Sequence, residues 1–76
     1  MDDIFERICS VLADYTDDAV TPGSSFMGDL GLESVEIFDM LVELEVEFGV
    51  KIPEKIIHNV ETVGDMAEAI KMLLEQ

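Results

Sequence analysis

The stretch from Ser34 to Phe48 is the strongest constraint on the fold, because its apolar residues recur at helical spacing on two lines instead of one. Ile37, Leu41, Leu44 and Phe48, with Met40 beside them, make a core-facing stripe. Val35, Phe38, Asp39, Val42, Glu45 and Val46 make a second, spaced i, i+3, i+4, i+7 and mixing apolar side chains with carboxylates. Either this helix is buried more deeply than most, or its second stripe is an exposed docking surface, apolar at the centre and acidic at the rim. Gly49 follows as a helix-ending residue.

Three other segments fall into place around it. From Asp2 to Tyr15, helical spacing brings Ile4, Phe5, Ile8, Leu12 and Tyr15 to one face. Pro53 suits the first position of a short helix running to Asn59. Thr62-Val63-Gly64-Asp65 reads as a capping box with Asp for the usual Glu, opening a last helix whose Val63, Met66, Ala67, Ile70, Leu73 and Leu74 face inward. Between Thr16 and Glu33 the periodicity fails. Turn residues at Thr21-Pro22-Gly23-Ser24-Ser25, with Phe26, Leu30 and Leu32 interspersed, predict a long loop pinned to the core by its own apolar residues. The expectation is an all-α domain spanning 1–76, a small bundle of three main helices plus one short helix, with the long loop between the first and second helices.

Charge narrows the partners. Eighteen acidic residues against four basic ones give a net charge of −14, yet 49% of the chain is hydrophobic, which separates it from disordered acidic tails. That charge excludes nucleic acid and anionic membrane surfaces, both of which require Lys and Arg. No apolar run is long enough for membrane insertion, and the acidic start is unlike a signal peptide. The lone Cys9 cannot form an internal disulfide and reads as a small buried hydrophobe, pointing to a reducing, cytoplasmic setting. Between Arg7 and Lys51 lie ten acids and no base, six of them (Glu33, Glu36, Asp39, Glu43, Glu45, Glu47) on or beside the second helix. Like-charge i, i+4 pairs such as Asp39/Glu43 and Glu43/Glu47 each cost about 0.2–0.5 kcal/mol. Left unrelieved, that penalty implies a charge used to steer a basic partner.

No catalytic constellation is present. Ser34, at the junction of loop and helix, reads either as an N-cap or as a hydroxyl modified by another enzyme, since a helix N-terminus favours a phosphate and no neighbouring base would activate the oxygen as a nucleophile. His58 reads as a helix C-terminal charge or surface residue. A calcium loop at Asp14-x-Thr16-x-Asp18 fails, with Ala19 where Gly is needed and Ser25 where a bidentate Glu is needed, leaving only loose cation binding by the acidic helix. No metal site is expected.

Phe26-x-x-Asp29-Leu30-Gly31-Leu32-Glu33-Ser34-Val35-Glu36, then Leu44-Glu45-x-Glu47-Phe48-Gly49-Val50-x-Ile52-Pro53 and Thr62-Val63-Gly64-Asp65, resembles the acyl carrier proteins over essentially the whole chain. The resemblance implies a carrier and not an enzyme. Ser34 would receive 4′-phosphopantetheine from coenzyme A, and the arm's thiol would hold acyl groups as thioesters for the enzymes of fatty acid biosynthesis. It implies a phosphopantetheinyl transferase and acyl-processing synthases, reductases and transferases as partners, with basic patches meeting Glu33, Val35, Glu36, Phe38, Asp39, Val42, Glu45 and Val46. It also implies an acyl pocket, for which Met40, Leu44, Ile52, Ile57 and Ala67 are the candidates, beside the plainer reading of these as core. Met1 and the chain's length favour a free-standing carrier, and the expected state is a monomer. Departures lie at Glu33-Ser34-Val35, where Asp-Ser-Leu is usual, at Val46 in place of an acid, and at Lys55 and Ile56 after Ile-Pro. They predict docking that is more apolar than usual, and keep open a specialised polyketide or aminoacyl carrier, or an unmodified carrier-like interaction module.

Overall fold

A computed structural model describes residues 3–76; the expectations touching Met1 and Asp2 lie outside it. Four helices follow one another: α1 (Asp3–Leu12), α2 (Ser34–Phe48), α3 (Glu54–Asn59) and α4 (Val63–Leu74). Helix α1 packs against both α2 and α4. Ile8 and Leu12 meet Met40, Leu44, Met66 and Ile70 in a fully enclosed core. The apolar periodicity thus built the bundle it predicted. Leu74 departs from it, lying 44% exposed at the end of α4, while the adjoining Leu73 packs against the core.

Helix α1 is shorter than its periodicity. Residues 13–15 form a tighter turn in which the Tyr15 N–H donates to the Leu12 carbonyl at 2.8 Å. Tyr15 still packs against the core, and its hydroxyl donates to the Glu43 carboxylate. That hydrogen bond, with partial burial and the nearby charges of Glu43, Asp39 and Asp14, pushes the phenol from its ordinary 10.0 up to about 12. The protonated phenol is the form the fold favours, so its contribution is complete below pH 10 and disappears as pH rises towards 12. Tyr15→Phe should therefore lower stability at pH 8 and flatten the alkaline decline; urea midpoints of both proteins at pH 8, 10 and 12 test this.

The long loop is laced to the start of α4. Ser25 pairs with Thr62 in an isolated antiparallel bridge, the Phe26 N–H donates to the Glu61 carbonyl at 3.1 Å, and the Val63 N–H donates to Ser24 at 2.9 Å. Gly64 donates to the Pro22 carbonyl at 2.8 Å, and a Cβ on Gly64 would sit 2.8 Å from that same oxygen, so only glycine allows this approach. Ser25 and Asp29 cap each other, each side chain accepting from the other's N–H at 2.8 Å. Phe26, Leu30 and Leu32 are buried as the sequence requires, and Gly31 takes φ +66 to turn the chain into α2.

The capping box of α4 forms as read. The Asp65 carboxylate accepts from the Glu61 and Thr62 N–H groups, each at 3.1 Å, and these bonds hold its pKa below the ordinary carboxylate range. Pro53 stands one residue earlier than expected relative to its helix. Its extended backbone (φ −64, ψ 148) makes it the cap, and α3 starts at Glu54.

Candidate functional site

Ser34 is the first residue of α2 and not its cap. Glu33 holds the extended cap position (φ −87, ψ 163), and its N–H donates to the Glu36 carboxylate at 3.0 Å. A residue at the first helical position has an N–H with no partner inside the helix. Ser34 is exposed, and its hydroxyl hydrogen-bonds to no described residue. An oxygen in this position is reachable, uncommitted and next to the positive end of a four-turn helix dipole.

Beside Ser34 opens a cavity of about 600 Å³. Its walls are apolar, with Phe26 from the loop, Ile37 and Met40 from α2, Ile57 from α3 and Met66 from α4. Of the residues singled out for an acyl pocket, Met40 and Ile57 line this space. Leu44, Ile52 and Ala67 are buried in the core elsewhere. Met27, His58 and Glu61 also border the cavity, and nothing in the sequence marked them for it, because the loop, α3 and the α3–α4 connection meet only in three dimensions.

The second stripe of α2 is exposed. Val35 (64%), Phe38 (66%), Val42 (46%) and Val46 (79%) face outward, so the deeply buried reading of this helix is ruled out. The acids of α2 are less free than the sequence implied. The Glu45 carboxylate accepts from the Ile52 N–H at 2.7 Å, Glu36 from Glu33, and Glu43 from Tyr15. Arg7 crosses from α1 to Glu47, donating to its carboxylate at 2.9 Å and to its carbonyl at 2.7 Å, while its guanidinium lies 4.3 Å from the centroid of Phe48. The like-charge penalty read along α2 is thus relieved from other elements, and Arg7 supplies the cation that the last turn of α2 lacks. Arg7→Ala should cost about 1–2 kcal/mol, the sum of a surface ion pair and a cation–π contact, measured by urea unfolding.

Cys9 is half-buried, and burial followed by the charge of Glu6 pushes its thiol pKa up, the opposite of an activated thiol. No group of three or more potential ligands is arranged for a metal among the described residues, and no helix there is long and apolar enough to cross a membrane.

The bundle thus exposes the Ser34 hydroxyl at the start of a helix, beside an apolar cavity. Residues 2–70 match the family described as the phosphopantetheine attachment site. An acyl carrier protein of Treponema denticola is 39% identical over 74 residues, covering 93% of this chain and 95% of its own. One from Borreliella burgdorferi is 38% identical over 73 residues, covering 92% and 91%. A solved structure from Mycobacterium tuberculosis, described as an acyl carrier protein, superposes with a TM-score of 0.84 at 30% identity, covering 91% of this chain and 96% of that one. The chain belongs to the phosphopantetheine-bearing acyl carrier proteins. It is a carrier and not an enzyme, and its cofactor is covalent 4′-phosphopantetheine, which supplies a terminal thiol able to hold acyl groups as thioesters. A phosphopantetheinyl transferase and acyl-processing enzymes are the partners this membership entails.

Proposed function

We propose that Ser34 Oγ is the attachment point of the arm, and that the loaded carrier delivers acyl intermediates to the enzymes of fatty acid synthesis. The observation that carries this reading is the exposed, unpartnered hydroxyl at the N-terminus of α2, at the edge of an apolar cavity. A phosphodiester there gains from the free N–H groups and the helix dipole. The adjoining Glu33 and Glu36 repel it, so the dipole offsets a local cost. The chain's own residues do three things: α2 holds the oxygen outward, the cavity gives the carried chain an apolar refuge, and the exposed stripe presents the site to visiting enzymes.

Docking in this reading is carried mainly by Val35, Phe38, Val42 and Val46. Asp39 and Glu33 provide the rim charge, and Glu36 and Glu45 serve chiefly to brace the helix. Residues 1–76 act as one carrier domain. A charge of −14 opposes self-association, in keeping with a monomer, and the free thiol of Cys9 suits the cytoplasm.

Intact mass after incubation with coenzyme A and a broad-specificity transferase tests the attachment. Wild type should gain one phosphopantetheine and Ser34→Ala none. Absence of any gain in wild type with several transferases would remove the carrier assignment of Ser34.

A further inference from the structure

The cavity beside Ser34 is apolar except at its edge, where Ser25, His58 and Glu61 stand. His58 is the chain's single histidine and, among the described residues, the only basic one lining that space. The other cations are placed elsewhere. Arg7 is held by Glu47, Lys51 and Lys55 border grooves away from Ser34, and Lys71 stands in the last turn of α4. The imidazole is largely solvent-exposed, with its Nε2 3.5 Å from the Glu54 carboxylate, a pairing that becomes an ion pair when the ring is protonated.

An arm that leaves Ser34 Oγ and lies in the cavity has α2 on one flank and the end of α3 on the other. We propose that His58 is a positioning residue for that arm: its ring packs on the arm as it enters the cavity and makes the arm's placement sensitive to pH. This rests on Ser34 being the attachment point. The physical reason is a contrast between the two forms of the ring. Neutral imidazole can lie flat on apolar atoms and exchange a hydrogen bond with an arm amide, whereas the imidazolium favours water and Glu54. Of the charged groups near His58, Glu54 on its own helix pairs with it, and Glu61 from the α3–α4 connection borders the same cavity. The cavity residues from α2 and from the loop carry no charge.

The test uses the protein carrying an octanoyl-loaded arm. Such an arm has no group of its own that changes charge between pH 5.5 and 8, and histidine is the side chain that does. The resonances of the arm's methyl and amide groups are followed by NMR across that range in wild type, His58→Gln, His58→Ala and Glu61→Gln. We expect the arm resonances to move with pH in wild type and Glu61→Gln, and to lose that movement in both His58 variants. Contacts between ring and arm protons should be seen in wild type, and the glutamine variant should restore the neutral-form arm position better than alanine does. His58 is exposed, so both variants should remain folded. Arm resonances that stay flat in wild type, or move equally without His58, overturn the proposal while leaving Ser34 intact. Failure to load Ser34, read beforehand by intact mass, removes both.

Discussion

Truncating Leu44 to alanine should lower the free energy of unfolding by about 3–4 kcal/mol. The side chain is fully enclosed in the core beneath α2, and its removal loses both the transfer free energy and the packing around the void. In a domain with a total stability of roughly 5–15 kcal/mol, this is a large fraction. Urea unfolding gives the value directly, and a loss below about 1 kcal/mol would show that the core collapses around the gap. Met40→Ala makes an instructive partner. Met40 is equally buried but lines the cavity next to Ser34. Its truncation should enlarge the space open to a carried chain, whereas that of Leu44 should not. Comparing the extra stability each variant gains on acyl loading separates a cavity wall from plain core.

Phe38→Ala should reduce kcat/KM for modification by a phosphopantetheinyl transferase about 30-fold, the effect of losing about 2 kcal/mol from a central aromatic anchor. The ring is 66% exposed, so unfolding stability should hardly change. The two measurements together distinguish docking from folding. Asp39→Asn should have a smaller effect, several-fold, and one that fades with added salt. A Phe38→Ala protein modified at the wild-type rate would show that the transferase does not use this face. The expected ranking follows from where the acids of α2 are committed. With Glu36, Glu43, Glu45 and Glu47 engaged inside the molecule, few carboxylates remain to steer a partner, and the apolar line contributes most of the contact.

Much of this protein follows from sequence because its main signals are local. Helical spacing placed Ile8, Leu12, Leu44 and Ile70 in the core, Thr62 and Asp65 fixed the start of α4, and Gly49 ended α2 with φ +66. The order Gly31-Leu32-Glu33-Ser34 brought a hydroxyl to a helix start, and a helix start is a property of a few adjacent residues. Hydrogen-bond competition among neighbours was harder to foresee. Glu33 took the cap with help from Glu36, which released Ser34 from that duty.

What only the tertiary structure decided is everything that depends on segments distant in the chain. Arg7 and Glu47 lie 40 residues apart, and Tyr15 and Glu43 lie 28 apart; no periodicity along α2 reveals that its carboxylates are answered from α1 and the turn after it. The cavity likewise exists only where the loop, α2, α3 and α4 converge, so Met40 and Ile57 line it while Leu44, Ile52 and Ala67 do not. Spacing along one helix fixes which face a residue takes. Whether that face meets a packed neighbour, a gap or water depends on how the other helices are laid against it.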